Sequence, residues 1–104
     1  MQIFDRDTPL PPEMQGEWID AGDPTASLIV TGGEITCYDK VVEYDFKLMG
    51  QEDGAVIVSL QVENPETEDD FQNANITDLV ITPEGEFHAY NVGFSAQFVR
   101  PNEA

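Results

Sequence analysis

From Val41 to Leu48 the chain alternates without a break. Val42, Tyr44, Phe46 and Leu48 fall on one side of an extended backbone, and Glu43, Asp45 and Lys47 fall on the other. Side chains of a strand point to opposite faces at every second residue, so the segment reads as a strand with one dry face and one wet face. The period returns over residues 55–62, where Val56, Val58, Leu60 and Val62 share one side and Ile57, Ser59 and Gln61 the other. Between them, Gly50-Gln51-Glu52-Asp53-Gly54 reads as a turn.

The rest of the chain has the same grain. Residues 26–31 and 34–38 flank Gly32-Gly33, a pair that tolerates the positive φ angles of a tight hairpin. Asp39-Lys40 reads as the next turn, and residues 63–70 as an exposed polar loop. Three strands follow, over residues 76–82, 86–92 and 94–100, separated by Pro83-Glu84-Gly85 and Gly93 and ended by Pro101. Pro9, Pro11 and Pro12 make residues 1–14 an extended N-terminal arm with at most one short helical turn near Pro12 to Gln15. Residues 15–101 then form a single domain of about eight antiparallel strands with no internal helix, an all-β, up-and-down barrel whose closure removes exposed sheet edges.

Alternation predicts an inner set of Trp18, Leu28, Val30, Ile35, Cys37, Val42, Tyr44, Phe46, Leu48, Val56, Val58, Leu60, Val62, Leu79, Ile81, Phe87, Ala89, Phe94, Ala96 and Phe98. Side chains of this size can fill an eight-stranded interior; a hollow interior would instead leave Tyr44, Thr77 and Asn91 to orient a ligand in an apolar pocket.

Charge narrows the partners. Twenty-one Asp and Glu against four Lys and Arg give a formal net charge of −17. That field repels phosphate backbones and anionic lipid, which excludes nucleic acid and membrane surfaces. It suits plain solubility, a high-salt habitat, or a partner protein with a basic face. Cys37 is the single cysteine, so no disulfide framework or multi-cysteine metal site exists. Together with an N-terminus lacking a secretory apolar core, this points to the cytoplasm.

No catalytic constellation is present. His88 is the sole histidine, without a neighbouring nucleophile motif, and the acidic stretch 63–70 lacks the ligand spacing of a calcium loop. An enzyme, a cofactor and a metal site are therefore not expected. His88 and Tyr90 alternate outward beside Gln97 and Val99, as exposed strand decoration or as a candidate interface.

Gly16-Glu17-Trp18 heads the first barrel strand after a Pro-containing turn, and Arg100 closes the last one. This combination resembles the signature of the lipocalin and calycin superfamily; small avidin-like barrels are a comparable match in size. The resemblance implies that Trp18 sits at the closed end of the barrel with Arg100 packed across it, a cation–π pair worth ~0.5–2 kcal/mol. Phe94, Ala96, Phe98 and Arg100 alternate onto one side, in keeping with that placement. The implied activity is non-catalytic binding of a small apolar or aromatic molecule at the open end. The alternative is an acidic interaction module, inhibitor-like or immunity-like, acting on a basic partner protein.

Overall fold

The computed structural model describes residues 2–91 and 93–101. The antiparallel all-β expectation holds, but the sheet has ten strands rather than eight and curls into a half-barrel instead of closing. The strands are β1 (Gln2–Asp5), β2 (Gly16–Asp20), β3 (Asp23–Thr31), β4 (Glu34–Cys37), β5 (Lys40–Val41), β6 (Phe46–Glu52), β7 (Ala55–Gln61), β8 (Asp78–Ile81), β9 (Phe87–Asn91) and β10 (Phe94–Val99). Their order is β1-β6-β7-β8-β9-β10-β2-β3-β4-β5: two meanders joined where β10 meets β2, with β1 added outside β6. The N-terminal arm is thus extended over its first residues because Gln2–Asp5 pairs with Met49–Phe46. Its later part contains a single 3-10 turn, Pro12–Met14.

The predicted strand over residues 41–48 is two strands with a break, and its parity changes at the break. Val42 and Tyr44 are buried, but Lys47 is also buried, at 0% exposure, whereas Phe46 and Leu48 turn to the outer face. Lys47 therefore belongs to the inside, and Phe46 and Leu48 do not. The cause is the gap between the two sheet edges, which residues 42–45 cross. The Val42 N–H donates to Ile35 O on one flank and the Asp45 N–H to Gln61 O on the other.

No ladder joins β1 to β5; side chains close this seam together with a backbone bond from the Leu10 N–H to Gly32 O at 2.9 Å. The Lys47 ammonium donates to Asp5 O at 2.7 Å, Arg6 O at 2.9 Å and Tyr44 Oη at 3.1 Å. The Tyr44 hydroxyl donates to Gly33 O at 2.5 Å. Higher on the seam, the Gln15 amide donates to Gly32 O and accepts from the Gly32 N–H, both at 2.9 Å. Gly33 lies so close to the arm that a Cβ there would overlap Arg6 O.

The polar run after β7 is α1 (Pro65–Ala74), not a loop, and it corrects the expectation of no internal helix. The Asn64 side chain caps it by accepting from the Glu66 N–H at 2.9 Å, Pro65 occupies its first turn, and Glu66 and Glu68 sit where the helix dipole favours negative charge. Phe71 is buried in the main core cluster, so the helix docks through one aromatic anchor while its acids face water.

The turn predicted across residues 50–54 is shorter. Strand β6 runs on to Glu52, and Asp53-Gly54, both at positive φ, form the tight connection to β7. Inside, Trp18, Leu28, Val58, Leu79, Phe87 and Phe98 are all at 6% exposure or less and fill the space between the curled walls. Leu10, Met14, Phe71 and Ile76 join this core from outside the strands. The side chain of Phe94, predicted inward, lies outside what the structure describes.

Candidate functional site

Turns alternate between two rims. The near rim carries the β3–β4, β6–β7 and β8–β9 turns, and the far rim carries the β2–β3, β4–β5 and β9–β10 turns together with α1.

At the near rim the guanidinium carbon of Arg100 stands 3.7 Å from the centre of the Trp18 ring. Arg100 Nη1 also donates to Gln15 O at 2.9 Å. Gly16 makes room for it: a Cβ there would stand 2.7 Å from Nη1, and the backbone has φ +106°, a conformation that glycine adopts without strain. The Trp18 indole donates to Met14 O at 3.0 Å, which explains the purpose of the Pro12–Met14 turn, and its ring meets Phe87 edge-on with centroids 4.6 Å apart. This end of the half-barrel is plugged.

The three polar residues expected to orient a ligand all make hydrogen bonds that hold the fold together. Tyr44 is spent on the seam, and burial, reinforced by Asp7, pushes its hydroxyl up to about 12 despite nearby Arg6. Thr77 lies before β8 rather than within a strand. Its hydroxyl bonds Asp78 Oδ2 at 2.8 Å, and its backbone N–H donates to Tyr90 O. Asn91 in addition lines a cleft of about 270 Å³ at the far rim, with Cys37, Tyr38, Lys40, Val42, Asn73, Asn75 and Ile76.

Three elements build this cleft. The β4–β5 turn places Tyr38 and Asp39 at φ +51° and +65°, which brings Lys40 back opposite Cys37. The end of α1 contributes Asn73 and Asn75, and the Asn75 amide is held by donating to Phe71 O at 3.3 Å. Asn91 then ties β9 to this segment by donating to Asn75 O at 2.8 Å, while its own Oδ1 accepts from the Gly93 N–H. Its buried lining is apolar, from Cys37, Val42 and Ile76, and its more exposed lining comes from Tyr38, Lys40 and the three asparagines.

Burial, with Asp20 adding repulsion, pushes the Cys37 thiol up to about 12, so no thiolate forms near neutrality. Burial and the hydrogen bond to Asp20 also raise the Tyr38 hydroxyl above its usual range. Among the described residues of the lining there is no carboxylate and no histidine. Lys40, Asn73 and Asn75 were not among the residues singled out from sequence; the asparagine pair before Ile76 was the available signal.

His88 and Tyr90 lie on the outer sheet face, opposite Gln97 and Ser95, and the His88 ring is 3.3 Å from Glu86 Oε1. Among the described residues no group of three or more His, Cys, Asp or Glu could hold a metal, and no helix is long and apolar enough to cross a membrane. Comparisons of the chain with family models, with curated proteins and with solved structures found no match.

Proposed function

We propose that this chain is a non-catalytic binding protein whose far-rim cleft holds a small, largely apolar molecule. The lining carries the reading: buried Cys37, Val42 and Ile76 beside a few asparagines give the mostly apolar, sparsely polar composition usual in a ligand pocket. At about 270 Å³ the cleft is just below the typical range of ~300–1,000 Å³, which suits a ligand built on a single ring. The filled interior moves the ligand from the barrel centre, where a calycin-like chain would hold it, to the rim opposite Trp18. Arg100 over Trp18 supports the calycin-like reading of the plugged end. The test is a backbone-amide NMR titration of the whole chain with indole, phenol, benzamide and benzoate. Saturable shifts at Cys37, Val42, Ile76 and Asn91 are expected, and Asn73→Trp, which fills the mouth from an exposed helix position, abolishes them.

The net charge of −17 favours a second reading, an acidic module that engages a basic protein. Association with such a protein then weakens steeply as salt is added, and salt-independent association removes the reading.

A further inference from the structure

The acids of this chain are not spread evenly. On the outer face of β6–β10, one cross-strand row runs from Ile3 through Leu48, Ser59 and Asp78 to Tyr90 and Ser95. The next runs from Gly50 through Ile57, Val80 and His88 to Gln97. Asp78 is the only carboxylate in either row, in a chain with twenty-one acids, and it already accepts from Thr77 Oγ1. Leu48, Ile57 and Val80 are half-buried, and Ile3 at the sheet edge is 71% exposed. Around this patch the carboxylates return: Asp45 and Glu63 at the far rim, Glu52, Glu84 and Glu86 at the near rim, and Asp5 on the edge strand, all exposed.

We infer that this face is the docking surface for a basic protein, with an apolar, uncharged centre on that partner and Lys or Arg around it. This rests on the second reading above. A charge-depleted centre inside a polar border is the anatomy of a protein interface, and a border of one sign sets both the sign of the partner and the rate of encounter. Nucleic acid supplies the wrong sign. A second copy of this chain is also disfavoured, because a two-fold contact through this face would press one acidic border against another.

The test is selection of displayed peptides against the full chain, followed by affinity measurement of a selected peptide in solution. The expected winners combine apolar residues with flanking Lys or Arg. Gln97→Arg, a change at the sheet surface that leaves the core untouched, is expected to weaken them by about tenfold or more, as is Val80→Asp. Asn73→Trp, in the far-rim cleft, leaves them unaffected. Winners without basic residues, or affinity unchanged by Gln97→Arg, overturn the assignment. Loss of binding on reversing Glu66, Asp69 and Asp70 to Lys, with Gln97→Arg silent, overturns the face while sparing the basic-partner reading. Insensitivity to salt removes that reading itself.

Discussion

Lys47 and Tyr44 are three residues apart and face each other across 3.1 Å, ammonium to hydroxyl, inside a seam that no strand ladder closes. The half-barrel depends on them because β1 and β5 are at opposite ends of the sheet order: Lys47 holds the Asp5 and Arg6 carbonyls on one flank, and the Tyr44 hydroxyl that it contacts reaches Gly33 O on the other. Lys47→Met removes three hydrogen bonds, leaving Asp5 O with the Thr8 N–H and Arg6 O with the Tyr44 hydroxyl, and is expected to cost roughly 2–3 kcal/mol, and Tyr44→Phe about 1 kcal/mol. Because the two share one network, the double variant costs less than the sum. Urea unfolding of the four proteins measures this; strict additivity contradicts the seam.

Gly33 tests the same seam from the other side. Its φ is not unusual, so glycine is required by space: an added methyl meets Arg6 O and, at 3.0 Å, Thr8 O. Gly33→Ala is expected to cost more than about 2 kcal/mol because backbone must move. Gly32→Ala, with nothing within 4 Å of its Cβ, costs only the strain of its positive φ, roughly 1 kcal/mol. Equal effects in thermal melts would contradict the close approach.

The near-rim plug predicts a coupling. Arg100→Gln removes a cation over the indole and should cost about 1–2 kcal/mol. Gly16→Ala costs at least about 1 kcal/mol from its backbone angle and displaces the same guanidinium. In the Arg100→Gln background the steric part of the Gly16→Ala penalty should vanish, which a double-mutant cycle reads directly.

Cys37 gives the chain a pH signature. Its thiol is held near 12 against an ordinary 9.0, mainly by burial, so between those values the folded protein keeps a proton that the unfolded chain has lost. The stability this contributes is complete below about pH 9 and is lost as pH rises toward 12. Cys37→Ala should flatten that alkaline decline relative to the parent in urea melts. Parallel declines would show that the thiol is not shielded.

Much of this architecture is legible in the residues themselves. The Gly32-Gly33 hairpin, the alternation of β7 and the spacing of Gly16, Trp18 and Arg100 carry their geometry in local pattern. The change of parity after Asp45 does not, because Phe46 and Leu48 continue the apolar alternation and no glycine or proline marks the break; Lys47 turns inward after residues 42–45 cross between the sheet edges, where its ammonium meets the carbonyls of Asp5 and Arg6. The α1 helix was signalled by Asn64-Pro65-Glu66, a cap followed by a first-turn proline, but its acid-rich surface conceals the single anchor Phe71. In the cleft, Asn91 stands out as an inward polar residue, whereas Lys40, Asn73 and Asn75 reach it only through a turn and a helix end.

The central claim is that binding takes place at the far rim and not within the filled interior. It is tested most directly by amide chemical-shift mapping of the intact chain titrated with indole. Saturable shifts confined to Cys37, Val42, Ile76 and Asn91, and lost in Asn73→Trp, are the predicted result. Shifts centred on Trp18, Phe87 and Phe98, or no saturable shift with any single-ring compound, would contradict it.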